Sequence, residues 1–268
     1  MKGLTQESIL SLESPLARVV EVHGALASTQ DRARELARAG AHHGTLVVAG
    51  VQTGGRGRLR RAWGSPEGGL WMSLVLRPDL EAAAAARVTQ TAAVAVAKAL
   101  REIGANIGIK WPNDLLAEPG GRKICGILAE SSLRAAAPNE ASRVDHAILG
   151  VGLNANLDPE DLGVADRGVA TLRSELGRDV APLDLIQSLL RNLHAELERI
   201  HDFAAILDDW RALSLTLGER VLVRRSGEVL EGLAADIGPE GALLLETRDG
   251  VLELYEGDVE SFLRGGDA

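Results

Sequence analysis

The sequence predicts an α+β fold in which a mixed β-sheet with helices packed on it precedes a small antiparallel β domain. Apolar runs typical of strands alternate with segments of helical periodicity from residue 18 to about residue 212. Beyond residue 217, five short β-rich runs alternate with glycines, which is typical of a small antiparallel barrel. This change places a boundary near residue 215, so we expect domains at 1–215 and 216–268.

Each element follows from a local signal. A strand is predicted at 18–23, and a helix from Ser28 or Thr29 to Arg38, because Ser and Thr are favoured N-caps and Gly40 supplies a stop. Further strands are predicted at 45–50, 70–76, 107–111, 114–117, 123–132 and 145–153, with a hairpin turn at 118–121. Further helices are predicted at about 79–103, from Pro182 to about 200, and from there to about 212.

Composition excludes several classes of protein. Among 268 residues, 46% are hydrophobic and 25% charged, which argues against a disordered or fibrous chain. No apolar run approaches the roughly 20 residues that span a bilayer, and the first residues lack the apolar segment of a signal peptide. The single cysteine, Cys125, excludes an intrachain disulfide. We therefore expect a cytoplasmic protein that does not bind membranes.

Charge is unevenly distributed along the chain. The net charge is −9, and residues 216–268 hold 12 acidic and five basic side chains, so the chain as a whole is not expected to bind polyanions. Its cations are 25 arginines and only four lysines. Because an ammonium group is not equivalent to a guanidinium, each lysine is a candidate for a specific role.

The strongest local signal lies within residues 51–69, which hold six glycines, a proline and an arginine cluster without any period. We expect a long structureless loop, and such loops are usually functional. Its core reads QTGGRGRLRRAW from Gln52 to Trp63. Glycine amides approach anions closely and arginines bind phosphate or carboxylate in a bidentate manner, yet neither nucleotide-binding glycine fingerprint fits. A nucleic-acid patch and a solvated basic loop remain alternatives.

A second candidate site combines cations, an amide and a carboxylate. Lys110-Trp-Pro-Asn113-Asp114 follows a short strand, and Pro112 biases the chain before it to an extended conformation. Asp114 is a candidate ligand for Mg²⁺, which one or two carboxylates and phosphates usually bind; the alternative is a turn with a packed Trp. Lys123 begins an apolar strand, where its ammonium lies at the mouth of the core or extends into solvent.

Glycines mark the strands that follow. Gly126 lies three residues after Lys123, and Gly150-Val-Gly152-Leu-Asn154 ends an apolar strand. A glycine within a strand often marks the close approach of a ligand or another backbone, and Asn154 can bind a polar group. Cys125 is interpreted as a small buried hydrophobe rather than a nucleophile.

Five motifs occur in an order that resembles the biotin–protein ligase family. They read Ser28-Thr29, QTGGRGRLRRAW, KWPNDLL, RKICGILAE and GVGLN. The resemblance implies a catalytic domain like those of class II aminoacyl-tRNA synthetases and biotin ligases, and an SH3-like C-terminal barrel. It also implies that biotin and ATP condense to biotinoyl-AMP and pyrophosphate, and that the biotinoyl group then passes to a lysine of a biotin carboxyl carrier domain.

The same resemblance implies roles for individual residues. Lys123, Arg58 and Arg56 are the expected catalytic residues, because they neutralise a carboxylate and a polyphosphate that must meet. The residues implied for biotin are Ser28, Thr29, Gln30, Gln52, Arg56, Gly57, Arg58, Lys123, Gly126 and Gly152. Those implied for the nucleotide are Arg58, Trp63, Lys110, Asn113, Asp114, Lys123 and Asn154, with Asp114 also implied for Mg²⁺. The glycine–arginine loop is expected to be mobile when the site is empty, and to fold over the adenylate and exclude water.

The chain departs from the family pattern at three places. Gln30 stands where Asn is usual, and Arg60 where glycine is common. The segment 155–170 contains no aromatic residue, and Val169 is its nearest candidate, so no adenine-stacking residue is predicted there.

Alternative functions follow from the same fold. A lipoate or octanoate ligase or transferase is one, and a biotin-binding regulator without turnover is another. Only 27 residues precede Ser28, too few for a winged helix, so we expect a ligase that does not bind nucleic acid. The residues leave monomer and homodimer equally open.

Overall fold

The computed structural model describes residues 3–135, 140–162, 168–225 and 227–262. The strands are β1 Val19–Leu26, β2 Thr45–Gln52, β3 Leu70–Leu76, β4 Ile107–Lys110, β5 Asp114–Ala117, β6 Arg122–Arg134, β7 Arg143–Leu153, β8 Arg220–Arg225, β9 Glu228–Ile237, β10 Leu243–Thr247, β11 Gly250–Leu254 and β12 Asp258–Phe262. The α-helices are α1 Gln6–Leu10, α2 Thr29–Arg38, α3 Arg87–Glu102, α4 Leu172–Leu176, α5 Pro182–Glu198 and α6 Phe203–Leu213.

The strands form two sheets. The first has seven strands in the order β1-β2-β3-β7-β6-β5-β4, and the second has five in the order β11-β10-β9-β8-β12. β1 and β2 run parallel, whereas the other pairs in the first sheet are antiparallel. The second sheet is antiparallel throughout. The prediction of a mixed sheet with helices, followed by a small antiparallel β domain, is confirmed.

Helices cover both faces of the first sheet. α3 packs against α5 and α6 on one face, which holds most of the apolar core. α2 covers the other face with a smaller cluster that includes Ala33, Val47, Val75 and Ile148. Because side chains alternate along a strand, residues two or four positions from Val75 and Ile148 lie on the same face of the sheet as α2. These residues include Ser73, Gly150 and Gly152, which line the site described below.

The helix predicted from Ser28 is confirmed, with Ser28 as its N-cap: the Ser28 hydroxyl accepts a hydrogen bond from the Asp31 amide. The helix predicted at about 79–103 is present as α3, but its predicted start was wrong, because α3 begins at Arg87 and only a short 3₁₀ turn occurs at Ala82–Ala84. The amide of Ala82 donates to Ser142, and the amide of Val144 donates to Leu80. This pairing with the start of β7 overrides the helix propensity of the alanines.

The second sheet is joined to the first through residues 214–216. The amide of Leu215 donates to the carbonyl of Ile109 at 2.8 Å, and the Thr216 hydroxyl accepts from the amide of Trp111 at 3.0 Å. The boundary near residue 215 falls between α6 and β8 and stays a prediction. Within the described ranges, no helix is long and apolar enough to cross a lipid bilayer.

Candidate active site

A cavity of about 270 Å³ opens on the α2 face of the first sheet, beside the N-terminus of α2. The structure brings most of the predicted site residues to its wall: Ser28, Thr29, Gln30, Gln52, Arg56, Gly57, Arg58, Trp63, Asn113, Asp114, Lys123, Gly126 and Gly152. Lys110 and Asn154 are not part of this lining. The lining residues that were not predicted from the sequence include three with polar side chains, Arg61, Ser73 and Asp258.

Residues 55–63, called the flap below, fold back over the cavity. The prediction of a structureless loop was wrong here, because the amide of Gly57 donates to Arg61 and the amide of Trp63 donates to Gly55, both at 2.9 Å. At the tip, Leu59 and Arg60 have φ values of 53° and 57°. This left-handed region favours glycine, so the departure noted at Arg60 coincides with a strained turn.

Arg56 is held at the base of the flap by two carboxylates. Its guanidinium donates to Asp31 at 2.8 Å, to the Ser28 hydroxyl at 3.2 Å and to Glu130 at 3.3 Å. Partial burial raises the pKa of Asp31, but the hydrogen bonds and charges of Arg34 and Arg56 outweigh burial and hold this pKa below its usual value. Arg56 is therefore fixed beside the cavity before any ligand binds.

Hydrogen-bonded side chains form a polar floor in the cavity. The amide of Thr29 donates to Oε1 of Gln52 at 2.8 Å, and the Thr29 hydroxyl lies 2.9 Å from that of Ser73. Ser73 in turn donates to Oε1 of Gln30 at 3.1 Å. The Gln30 amide donates to the carbonyl of Ile148 at 2.9 Å and to Glu130 at 2.8 Å. Gln30 thus shapes the floor through bonds to the protein itself.

Trp63 lies over the glycines of two neighbouring strands. Gly126 and Gly152 are directly opposite each other in the β6–β7 register. A Cβ at Gly152 would lie 2.7 Å from Nε1 of Trp63, and one at Gly126 would lie 3.2 Å from its ring. The glycines were expected to leave room for a ligand; in this structure the indole occupies that room. Nε1 of Trp63 is buried and has no hydrogen-bond partner among the described residues.

Lys123 and Asp114 form an ion pair in the cavity wall, with 2.7 Å between Nζ and Oδ1. The ammonium nitrogen also lies 4.8 Å from the centroid of the Trp63 ring, a cation–π distance. Next to this pair, Asn113 donates to the carbonyl of Ile127 at 2.7 Å and accepts from Arg58 at 3.2 Å. The motifs KWPND and GRGR therefore meet at one point.

The two predicted residues outside the lining have other surroundings. Burial lowers the pKa of Lys110. The negative charge of Asp114 raises this pKa, and the positive charge of Lys123 lowers it further.

Asn154 is 1% exposed and donates to the carbonyl of Ala170 at 3.0 Å. The main chain of Lys123 bonds to residues 168 and 170 in the same segment. Asn154 thus helps to position the backbone of Lys123. Part of the predicted loop 155–170, residues 163–167, lies outside the described residues.

The second sheet reaches the cavity through its last strand. Arg61 pairs with Asp258 at 2.7 Å, and Arg58 lies 3.7 Å from the same carboxylate. Arg58 also donates to the carbonyl of Gly257 at 3.2 Å. Sequence reasoning missed these contacts, because nearly 200 positions separate the flap from this turn and no local pattern links them.

The arrangement suits an anionic ligand with a polar head. Within the described chain, no group of three or more His, Cys, Asp or Glu side chains is placed to hold a metal ion. The Asp114 carboxylate lies in the cavity wall, which fits a Mg²⁺ ion that arrives on a nucleotide and takes its remaining ligands from phosphates and water. The cations Arg56 and Lys123 each pair with a carboxylate, which an incoming anion can replace.

Comparisons with known proteins agree on one family. Residues 24–154 match the Biotin/lipoate A/B protein ligase family, and residues 216–260 match the Biotin protein ligase C terminal domain. The chain is 39% identical over 243 residues to the bifunctional ligase/repressor BirA of Bacillus subtilis, covering 89% of this chain and 72% of the relative. It is 35% identical over 208 residues to the biotin–[acetyl-CoA-carboxylase] ligase of Paracoccus denitrificans, covering 74% and 82%.

Solved structures agree as well. The biotin protein ligase of Aquifex aeolicus, in complex with biotin and ATP, matches with a TM-score of 0.73 and 28% identity; the match covers 91% of this chain and 98% of that one.

Proposed function

The chain belongs to the biotin protein ligase family, and on this basis we propose that it activates biotin with ATP and transfers the biotinoyl group to a lysine of a biotin carboxyl carrier domain. One observation carries the proposal. A single cavity combines a hydrogen-bonded polar floor with three cations, Arg56, Arg58 and Lys123, on motifs that are distant in sequence. This pattern matches a ligand with a polar ureido ring at one end and a carboxylate at the other.

In the first step, a biotin carboxylate oxygen attacks the α-phosphorus of ATP. A P–O bond forms, the bond to the β-phosphate breaks, and pyrophosphate leaves. Attack of an anion on a polyanion requires neutralisation of charge, and fixed cations in a cavity supply it without reorganisation. We assign Lys123 to the biotin carboxylate and the α-phosphate, and Arg58 and Arg56 to the carboxylate and phosphate end.

The roles of Lys123 and Asp114 are linked, because the two side chains must separate before Lys123 can bind phosphate and Asp114 can bind a cation. The 2.7 Å pair holds the ammonium in the cavity wall before ligands bind. When phosphate oxygens take over the ammonium, the Asp114 carboxylate would be free to hold a Mg²⁺ ion, which would neutralise phosphate charge. Asn113 keeps Arg58 next to this point through the 3.2 Å hydrogen bond. Lys110 and Asn154 act from outside the cavity lining, Lys110 by its charge and Asn154 by fixing the backbone.

In the second step, the amine of the acceptor lysine attacks the acyl carbon of the adenylate. An amide bond forms, the bond between the acyl carbon and the phosphate oxygen breaks, AMP leaves, and the amine loses a proton. The mixed anhydride must survive until the acceptor arrives. The flap, closed over the cavity, excludes water during this interval.

The polar floor favours biotin over lipoate or octanoate. Thr29, Gln52 and Ser73 place hydroxyl and amide groups where an alkyl or dithiolane end would lie. These groups bond to one another, and an alkyl or dithiolane end would cover their remaining hydrogen-bonding capacity without using it, which costs free energy. A regulator without turnover is less well supported, because Lys123, Arg56 and Arg58 are all in the cavity wall.

The remaining expectations concern partners and location. We propose that the arginine cluster does not bind nucleic acid, because Arg56, Arg58 and Arg61 are paired with carboxylates rather than displayed as a free basic patch. A gel shift at physiological salt tests this. A cytoplasmic location is proposed because the substrate ATP and the acceptor carboxylase are expected there.

The deciding experiment is biotin-dependent exchange of labelled pyrophosphate into ATP, followed by transfer to a purified carrier domain. We expect exchange with biotin and at least 100-fold less with lipoate or octanoate. Exchange supported equally well by octanoate would assign the chain to the alternative enzyme class. Tight biotin binding without exchange would instead indicate that the chain is a biotin-binding regulator without turnover.

A further inference from the structure

The flap is tethered to the C-terminal sheet at two neighbouring residues. Arg61 pairs with Asp258 at 2.7 Å, and Arg58 reaches the Gly257 carbonyl at 3.2 Å and the Asp258 carboxylate at 3.7 Å. Asp258 is the one residue that the described part of the C-terminal sheet contributes to the cavity wall. Of the three acceptors within reach of Arg58, two therefore come from this turn.

The flap depends on such a tether. Its tip places Leu59 and Arg60 in the left-handed region, which is costly for residues other than glycine. Two backbone hydrogen bonds between residues 55–57 and 61–63 close the hairpin. A strained conformation persists only where its surroundings hold it. Arg56 is held at the base of the flap by Asp31 and Glu130, whereas Arg58 and Arg61 are held from the C-terminal sheet by Gly257 and Asp258.

The turn that holds the flap, Gly257 and Asp258, is itself fixed in position by packing. Gly257 has φ of +148°, and a Cβ there would lie 2.7 Å from Val223 and 3.5 Å from the ring of Trp111. Trp111 belongs to the KWPND motif and is 1% exposed. The turn that carries Asp258 is thus packed against the same motif that carries Asp114, so its position relative to the cavity is fixed.

We propose that Asp258 is a positioning residue, which holds Arg58 and Arg61 of the flap over the cavity so that the flap is closed before the nucleotide binds. This inference deepens the proposed function and rests on it only in the kinetic readout below. It assigns a role to the C-terminal sheet: the sheet supplies the carboxylate that orients a catalytic arginine. Removal of this carboxylate opens the flap and lowers the affinity for ATP phosphates.

The first test measures flap opening without any substrate. Thermolysin cleaves before large apolar residues, and Leu59 at the flap tip is 71% exposed. In the ligand-free protein, Asp258→Asn is expected to raise the rate of cleavage before Leu59 by at least about fivefold, because cleavage tracks local opening. Leu133, 54% exposed at the end of β6, serves as an internal reference whose cleavage does not change.

A matched control is Glu231→Gln. It removes one negative charge and one exposed ion pair, with Arg220 at 2.9 Å, from the same C-terminal sheet. It is expected to leave cleavage before Leu59 as in the wild type. Equal rates before Leu59 in Asp258→Asn and the wild type overturn the proposal. A parallel increase at Leu59 and Leu133 overturns it too, because it shows general destabilisation rather than a specific tether.

The second test separates positioning from structure by steady-state exchange kinetics. Asp258→Asn is expected to raise KM for ATP about fivefold or more with a smaller change in kcat at saturating ATP, and Asp258→Glu is expected to recover most of the loss. Unchanged KM together with faster flap cleavage overturns the positioning role. A wild-type chain without exchange activity refutes the proposed function, whereas the proteolysis result still decides whether the tether exists.

Discussion

The ammonium group of Lys123 and the carboxylate of Asp114 lie 2.7 Å apart in the cavity wall, with Lys123 on β6 and Asp114 at the start of β5. The β-bulge between Leu115 and Leu116 shifts the β5–β6 register, so that Asp114 is opposite Gly126 and Leu116 is opposite Lys123. The pair thus joins the KWPND motif to the RKICG motif. It orients the lysine toward the space in front of Trp63 and Gly126.

Lys123→Ala is expected to reduce biotin-dependent pyrophosphate exchange at least about 100-fold, since it removes a cation that stabilises charge in the transition state. Lys123→Arg is expected to show little more exchange activity than Lys123→Ala, because a guanidinium differs from an ammonium in shape and hydration. Arg122→Ala is the matched control: it removes the neighbouring cation on β6, which pairs with Glu175 away from the cavity. Exchange at the wild-type rate in Lys123→Ala contradicts the assigned role.

Gly152→Ala is expected to weaken biotin binding at least about tenfold, because the new methyl group would lie 2.7 Å from Nε1 of Trp63 and displace the indole from its place over the glycines. Isothermal titration with biotin measures the effect. Gly24→Ala is the control, since a Cβ at Gly24 meets nothing within 4 Å. If both variants bind biotin like the wild type, the placement of Trp63 has no bearing on the ligand.

Cys125 is expected to be chemically inert in the folded protein. It is fully buried, and burial raises the pKa of its thiol far above neutral pH. Iodoacetamide at pH 8 should therefore modify it only after denaturation, as mass spectrometry can show. Cys125→Ala should keep pyrophosphate exchange within about twofold of the wild type, as expected for a buried thiol outside the chemistry. Rapid alkylation of the native protein is the contrary outcome.

Local signals in the sequence were sufficient to predict many of the helices and strands. Ser28 caps α2 as predicted, and β3 has the predicted bounds, because a capping hydroxyl and a continuous apolar run act within a few residues. The short helices α1 and α4 were missed, although capping boxes at Thr5 and Thr171 mark them. Their apolar periodicity spans too few residues to be recognised without that cue.

The sequence-based predictions missed several contacts at the site because these contacts join residues that are distant in the chain. The motifs led to Lys123 and Arg58, but not to the pairing of Arg58 with Asp258, because charge pairing across domains leaves no pattern in sequence. The position of Trp63 over Gly126 and Gly152 depends on the fold of the flap and on strand register together. Motifs identified the groups at the site, whereas only the tertiary structure shows their partners.

The pairing of Glu21 with Arg32 links β1 to α2, the helix that carries Ser28, Thr29 and Gln30. Arg32 donates to both oxygens of Glu21 at 2.8 Å. The hydrogen bonds from Arg32 outweigh the opposing effect of burial and, with a smaller contribution from His23, lower the pKa of Glu21 from 4.5 to about 2. A carboxylate whose pKa is depressed on folding stabilises the folded state above its unfolded pKa, and this stabilisation disappears as pH falls through the folded pKa.

Glu21→Gln is therefore expected to lower Tm by roughly 2–4 °C at pH 7, a modest effect because solvent screens a partly exposed pair. The contribution of Glu21 decreases from about pH 4.5 towards pH 2, so the difference in Tm should fall to less than half at pH 3. Calorimetry at the two pH values measures it. Glu35→Gln, which removes the exposed second carboxylate 3.2 Å from Arg32, controls for charge on the helix and should change Tm little. A difference in Tm for Glu21→Gln that is equal at both pH values would show that the Glu21–Arg32 pair does not stabilise the protein through the charge of Glu21.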